Sequence, residues 1–400
     1  MKSPKQKKHW RKWAITKTRD GRKKMNLAIL FGGKSSEHEV SLVSASSVAR
    51  NIDQKKFKII PIGITKGGKW YLQSDEELAR IQSDPNAAFK ISEEPQNLVS
   101  VIPGGKSQAL LVDGKPLTVD AVFAVVHGTF CEDGVLQGLL DAAELPYVGC
   151  GTMASALTMD KEMTKKIWND SGLPVVPYKT FKRADINDSK RYDQLVEETI
   201  NEFSFPLFVK PCNAGSSVGA SKAANAREFS MALGEAFTWD DKVLVEKAVN
   251  AREIECSVTG NAVIQSAEKE CGQVRSYTPG EIAPTHEFYD YDAKYNDPDG
   301  AALKIPADID GETAKKIKAL AEEAYKALDC SGLSRVDFFI DKDSGAIYIN
   351  EINTIPGFTS ISMFPKMCEA AGLNYKDLIT LLIDEALERF EARKKLLTSR

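Results

Sequence analysis

Histidine is scarce, with four in 400 residues, and the seven cysteines form no CxxC pair. Cys131, Cys150, Cys212, Cys256, Cys271, Cys330 and Cys368 are odd in number and widely spaced, which argues against a disulfide framework or a structural zinc site. That usage fits a reducing compartment, so a cytoplasmic protein is expected. No run of eighteen or more apolar residues occurs, so no membrane span is expected. At 42% apolar and 27% charged, the composition also excludes a mainly disordered chain. The length suits two or three cores, since single cores seldom grow past about 250 to 300 residues.

Net charge is −3, but it is unevenly distributed. Residues 1–24 hold eleven Lys or Arg against one Asp, leaving forty-two basic and fifty-five acidic residues for the acidic body. This basic head lacks the apolar segment of a secretory signal. A solvated tail, or a start upstream of a true beginning at Met25, is the expected reading. Contact with nucleic acid or an anionic membrane is the alternative, and no nucleic-acid partner is expected of the body.

From Met25 the pattern is βαβ: NLAILF, a Gly32-Gly33 turn, a helical SLVSASSVARNI, then FKIIPIGI. The strand DAVFAVV runs into His127, and EDGVLQGLLDAAEL reads as a helix before a short strand PYVG. Open parallel sheets place ligands at the carboxyl ends of strands, which points to Glu37 and His127. The expected organisation is mixed α/β and α+β. A basic extension at 1–24 precedes a Rossmann-like α/β domain at 25–150, a central subdomain at 151–245 and a C-terminal subdomain at 246–400. In the last two, strands are expected at VPYKTF, PLFVK, VLVE, EIECSV and AVIQSA. Helices are expected at Asp160–Asn169, near 190–202, at 311–328 and around 376–391. The polar stretch 276–305, broken by Pro279, Pro284, Pro298 and Gly300, is long for a passive connection and reads as a gating loop.

Two segments carry chemistry. After Lys210, the sequence AGSSVG offers backbone N–H groups and hydroxyls with little bulk, a loop able to fold over phosphate oxygens, although most Gly/Ser loops are plain turns. Further on, GLSRVDFFID and AIYINEINT flank the turn signal Asp343-Ser344-Gly345, as in an antiparallel hairpin. A turn centred near 343 sets Arg335 opposite Glu351. Alternation then gathers Arg335, Asp337, Glu351 and Asn353 on one face, with Asp337 and Glu351 on a diagonal about 7 to 8 Å apart. Two carboxylates and an amide oxygen suit Mg²⁺ when phosphates complete its shell. A solvated face with Arg335 pairing Asp337 is the competing reading.

The motifs FGGKSSEHEVSL, HGTFCEDGVLQG, MDKEMTK, KPCNAGSSVG, VLVEKAVNAREIECSV, FYDYDAKY, SRVDFFID and NEINTIPGFTSIS occur in this order. Through them the chain from Met25 to about residue 390 resembles the D-alanine:D-alanine ligases of the ATP-grasp superfamily. The resemblance implies a two-part ATP-grasp fold with ATP clasped between two antiparallel sheets under a mobile lid. Lys161 and Lys210 would face phosphate, together with Gly215, Ser216 and Ser217. Glu246, Lys247, Ala248 and Val249 would line the adenine side and Glu253 the ribose, with Lys294 joining from the lid. Two Mg²⁺ ions, with Mn²⁺ as a possible substitute, would be held by Asp337, Glu351 and Asn353.

For the amino acids, the resemblance implies that Glu37 holds the ammonium of the first D-alanine, near Val40 and His127. Ser362 and Met363 would contact the carboxylate of the second. Glu37, Ser216 and Tyr295 would form a hydrogen-bonded chain coupling the first domain to loop and lid. The implied reaction activates one carboxylate as an acylphosphate, which the second amine attacks. Arg335 and the Gly357 N–H would stabilise the oxyanion and the lid would exclude water. The resemblance also suggests a homodimer and a role in peptidoglycan precursor synthesis. Rival readings are a D-alanyl-D-lactate or D-alanyl-D-serine ligase, against which Tyr295 argues, and a non-catalytic ATP-binding sensor. Cys131 stands where relatives often carry Gly, and the basic head has no counterpart in the family pattern.

Overall fold

The computed structural model describes residues 24–264, 272–284, 301–359 and 361–397. Three sheets follow one another along the chain. The first contains β1 (Met25–Gly32), β2 (Phe57–Ile64), β3 (Trp70–Leu72), β4 (Leu98–Val101), β5 (Leu110–Val112), β6 (Lys115–Leu117) and β7 (Ala121–Ala124), in the order β6-β5-β4-β3-β2-β1-β7. Only β2-β1-β7 is parallel. β1 is a continuous apolar run because both of its faces are covered. Leu27, Ile29 and Phe31 point into one core and Ala28 and Leu30 into the other. The PYVG segment makes a single parallel bridge, Val122 with Tyr147, rather than a strand. Pro146 has no N–H to extend the ladder, and the chain turns away at Gly149, φ 103°.

Helix α1 (His38–Asn51) covers the first sheet; α2 (Asp75–Ser83) and α3 (Val135–Ala142) complete this part. After α4 (Thr152–Met159) and α5 (Lys161–Asp170) come β8 (Tyr178–Lys182), α6 (Arg183–Ile186), α7 (Ser189–Phe203), β9 (Leu207–Pro211), β10 (Ser221–Ala223), α8 (Ala226–Trp239) and β11 (Lys242–Lys247). Their four strands form an antiparallel sheet in the order β10-β9-β11-β8. Leu207, Val209, Val243 and Val245 pack on α7 and α8, so period two sends Lys210 and Glu246 to the opposite face.

The third sheet is β15-β14-β12-β16-β17, built from β12 (Ala251–Asn261), β14 (Gly280–Pro284), β15 (Ala301–Lys304), β16 (Ser331–Asp341) and β17 (Ile347–Asn353), with β13 (Arg275–Ser276) paired to β12. Ile254, Cys256, Val336 and Phe338 pack against α9 (Gly311–Ala327) and Trp168. Two short-range expectations need correction. Of AVIQSA, the described residues are not strand: β12 ends at Asn261, Val263 is exposed, and the remainder lies outside the described residues. The polar stretch 276–305 is in part a hairpin, β14 with β15, whose last pair is Pro284 with Ala301. Residues 285–300, with FYDYDAKY, Lys294 and Tyr295, lie outside the described residues.

Two last helices, α10 (Met363–Ala370) and α11 (Tyr375–Arg393), close the chain. Leu378, Ile379, Leu382 and Ile383 of α11 share a core with Leu27, Ile29 and Phe31 of β1. The beginning and end of the folded chain are therefore packed together. Among the described residues no helix is long and apolar enough to cross a membrane.

Candidate active site

The polar faces of the second and third sheets meet around a group of lysines and carboxylates. Asp160 caps α5, its Oδ1 accepting from the Met163 N–H at 3.1 Å. The next residue is tied to the loop after β9, since the Lys161 N–H donates to Cys212 O at 3.0 Å. The Lys161 Nζ donates to Ala214 O at 2.6 Å and lies 4.0 Å from Glu351 Oε2. One turn on, Lys165 is fully buried, with its Nζ 2.6 Å from Glu246 Oε1. Glu246 Oε2 is 2.7 Å from Lys210 Nζ, which also donates to Asn350 Oδ1 at 3.1 Å. Burial opposes the charge of Glu246, but the two ammonium groups outweigh it and hold the carboxyl below its usual range. Burial lowers the pKa of Lys165 despite that partner.

The Gly/Ser loop carries two successive non-glycine residues in the left-handed region, Ser216 at φ 51° and Ser217 at φ 60°. Ser216 donates to Glu37 Oε1 at 2.5 Å, which is the first link of the expected chain; Tyr295 lies outside the described residues. Lys247 is exposed and Val249 half-buried. The Ala248 N–H donates to Pro206 O at 3.1 Å, where the chain crosses from the second sheet to the third. Glu253 stands on β12 opposite Ile282 and Phe339.

On the β16–β17 hairpin the register differs from expectation. Arg335 faces Asn353, not Glu351, and Asp337 and Glu351 are directly paired rather than diagonal. Two one-residue shifts cause this: the turn pairs Ile340 with Ile347, one residue later than a centre at 343 gives, and a bulge after the Phe338–Ile349 pair leaves Asn350 as an extra residue. Ile349 and Ile352 both enter the core, three residues apart, so Asn350 and Glu351 both go to the polar face. The expected face of Arg335, Asp337, Glu351 and Asn353 is thus present. Arg335 grips Asp337 through Nε and Nη2, each at 2.7 Å, and its Nε is 3.1 Å from buried Glu255 Oε1. Burial works against the guanidinium, yet Asp337 and Glu255 prevail and raise its pKa well above the ordinary value. Asn353 Nδ2 donates to Asp337 Oδ2 at 2.9 Å.

The carboxyl ends of β1 and β7 adjoin, and the residues expected there come together. Glu37 immediately precedes α1 and is 9% exposed, with Val40 half-buried one turn along. A Cβ on Gly128, φ 77°, would stand 2.8 Å from Glu37 Oε2, so this close approach requires glycine. Glu132 accepts from the Gly128 N–H at 2.9 Å and the Ile355 N–H at 3.1 Å. Burial and the charge of Glu37 push its carboxyl up to about 8. Gly357 abuts Ser362, since a Cβ would meet Ser362 Oγ at 2.9 Å. That hydroxyl accepts from the Thr359 N–H at 3.0 Å, and Met363 packs with Ile282, Ile305 and Met367.

His127 has both ring nitrogens engaged: Nδ1–H donates to Ile355 O at 2.8 Å, and Nε2 lies 3.1 Å from Ser44 Oγ. Because a carbonyl only accepts, the neutral Nδ1–H tautomer is fixed. Burial lowers its pKa, while Glu37 opposes that shift. His127 therefore ties the loop after β17 to α1 and remains uncharged at neutral pH. A folded pKa below the unfolded value of about 6.5 gives stability that is complete above that value and lost as pH falls. Wild type is expected to lose more denaturant resistance between pH 7 and pH 5 than His127→Asn. Equal losses would contradict a buried neutral imidazole.

Cys131 does not disturb its turn: the positive φ angles belong to Gly128 and Phe130, so position 131 does not need glycine. The thiol is buried against Gly33, and burial pushes its pKa up to about 12. Four contributors were not anticipated. Lys165 lies one helical turn from Lys161, Glu255 two strand residues from Glu253, and Glu132 within HGTFCEDG, so each carried a signal of spacing. Asn350 had none apart from the irregular spacing of Ile347, Ile349 and Ile352.

A phosphate-type loop and Lys210 from one antiparallel sheet, with Lys161 from the helix beside it, facing acidic residues on another sheet, define an ATP-grasp protein. The family described as D-ala D-ala ligase N-terminus matches residues 26–150, and D-ala D-ala ligase C-terminus matches residues 167–384. The D-alanine–D-alanine ligase of Treponema denticola is 54% identical over 377 residues, covering 94% of this chain and all of that one. The structure of the D-alanine-D-alanine ligase from Coxiella burnetii superposes with TM-score 0.77 at 34% identity, over 93% of this chain and 96% of that one. That of the VanG D-Ala:D-Ser ligase from Enterococcus faecalis gives 0.75 at 38% identity, over 91% and 100%. This chain belongs to the D-alanine–D-alanine ligase family.

Proposed function

We propose that the protein joins two D-alanine molecules into D-alanyl-D-alanine through a D-alanyl phosphate, releasing ADP and phosphate, in the synthesis of peptidoglycan precursors. The observation that carries this reading is the Asp337–Glu351 pair lying across from Lys161 and Lys210, with Lys161 Nζ 4.0 Å from Glu351. Such an arrangement supplies both signs of charge that a nucleotide triphosphate and its counterions need.

Asp337, Glu351 and Asn353 fit a divalent cation, because two carboxylates and an amide leave coordination positions for phosphate oxygens and water. We assign them to two Mg²⁺, with Mn²⁺ as a substitute. When bound, the ions supply charge neutralisation on the phosphates. Asp337 is held by the cationic Arg335 and the neutral Asn353 amide, and a bound cation would share it with them.

Lys161, Lys210 and the backbone of Gly215, Ser216 and Ser217 hold the phosphates. Glu246 to Val249 and Glu253 line the nucleoside side. Glu37, oriented by Ser216, accepts from the ammonium of the first D-alanine, beside Val40 and the loop that His127 fixes. That places the first carboxylate to attack the terminal phosphorus. Arg335 and the Gly357 N–H then receive the oxyanion formed when the second amine attacks. Ser362 and the amino end of α10 take the second carboxylate, with Met363 at its flank. Lys294 and Tyr295 would close the site from the lid.

The family resemblance further suggests a cytoplasmic homodimer, which the mass of the native protein tests. The decisive assay measures ADP and phosphate release with MgATP and D-alanine, L-alanine, D-serine or D-lactate, with products identified by mass. D-Alanyl-D-alanine is expected as the main product. A D-alanyl-D-serine or D-alanyl-D-lactate product would replace the second substrate, and ATP binding without turnover would favour the sensor reading.

A further inference from the structure

We infer that Trp239 and Asp240, consecutive residues at the carboxyl end of α8, are positioning residues that hold both ends of the Gly/Ser loop in place for ATP. The inference rests on the reading of that loop as the phosphate cradle. Its tip has Ser216 and Ser217 in succession at positive φ, a conformation that persists only where surrounding contacts impose it. Within the loop, Val218 N donates to Gly215 O at 3.1 Å and Ala220 N to Ser217 O at 3.2 Å.

The contacts at its two ends come from one place. Asp240 Oδ2 accepts from the Asn213 backbone N–H at 2.7 Å and from Asn213 Nδ2 at 2.9 Å. At the other end, a Cβ on Gly219 would lie 2.6 Å from Trp239 Cδ1, so the indole rests directly on the glycine backbone. The Trp239 Nε1–H donates to Glu235 Oε1 at 2.9 Å, which fixes the ring although it is 56% exposed. A large ring left this open to solvent contributes little to a core; its contact with Gly219 gives it a geometric role.

The same segment also sets the lysine helix. Asp240 Oδ1 accepts from the Lys242 N–H at 3.2 Å. Lys242 pairs with Asp160, the cap of α5, and with Glu162 at 2.8 Å. Residues 239–242 therefore position the loop and, through α5, Lys161 relative to one another. Charge-assisted bonds such as Asp240 to the Asn213 N–H are the stronger kind and suit a fixed anchor.

The test is steady-state kinetics of the full chain with MgATP and D-alanine. Asp240→Ala is expected to raise the KM for ATP by about tenfold or more, with kcat within about threefold and the KM for D-alanine within about twofold. Asp240→Asn, which keeps an acceptor, should recover most of that loss. A second pair guards against misfolding. Gly219→Ala meets backbone strain at φ 69° as well as the indole and should raise the ATP KM, and Trp239→Ala should remove the indole's share of that penalty in the double variant. Parallel rises in both KM values, or additive effects of the Gly219 and Trp239 changes, would overturn the proposal. Lys161→Ala separates it from the reading beneath it. A raised ATP KM there with none in Asp240→Ala refutes only the anchor, whereas no change in either refutes the phosphate loop as well.

Discussion

Arg335→Ala is expected to lower kcat by about 10² to 10³, the usual loss for one preorganised oxyanion donor, and to destabilise the fold at the same time. The guanidinium lies between Asp337 and Glu255, and removing it takes a shared positive charge from two closely set carboxylates. Breaking a buried ion pair from one side typically costs about 3–5 kcal/mol. Arg335→Lys divides the two effects. It keeps the charge and much of the stability but loses the planar fork that meets both Asp337 oxygens, so kcat should stay low. ADP release and thermal unfolding of both variants check this. Near-normal turnover in Arg335→Ala would remove Arg335 from the chemistry.

The second large effect is expected at Glu246, which is 2% exposed and is the shared anion of Lys165 and Lys210. Glu246→Ala leaves Lys165 buried without its counter-charge, and a loss of about 3–5 kcal/mol follows by the same reasoning. The pH range over which stability rises should move upward. In wild type, the depressed carboxyl contributes stability present above its unfolded value of about 4.3 and lost as pH falls through the folded value. In the variant, Lys165 loses the partner that opposes its downward shift, so stability should climb more steeply between pH 7 and pH 9 than in wild type. Denaturant midpoints at the two pH values measure it. A variant as stable as wild type would mean that Glu246 does not compensate the lysines. Release of Lys210 should also weaken ATP binding, by about tenfold for the loss of a charge-assisted contact.

The sequence revealed the parts of this site where function and periodicity coincide. Lys210 and Glu246 were singled out by the resemblance, and alternation agrees with it, since their neighbours Val209 and Val245 are core residues. The hairpin face was legible for the same reason, but its register was not, because the turn pairs Ile340 with Ile347 and strict period two fails at Asn350. The signal was present in the three-residue step from Ile349 to Ile352. Contacts between distant segments left no such trace: nothing in local pattern says that His127 would bond Ile355 O, or that Asp240 would hold Asn213. His127, expected beside substrate, engages both ring nitrogens in fixing a loop. Lys294 and Tyr295 fall outside the described residues, so their roles rest on the resemblance alone.

The packing of α11 on β1 bears on how the protein is made. A nascent chain exposes Leu27, Ile29 and Phe31 well before Leu378, Ile379, Leu382 and Ile383, which share their core, have been translated. At about 5–20 residues per second, a half-dressed sheet must wait tens of seconds for its cover. A chain interrupted before Leu378 would leave that apolar face bare and would be an aggregation-prone product rather than a shortened enzyme.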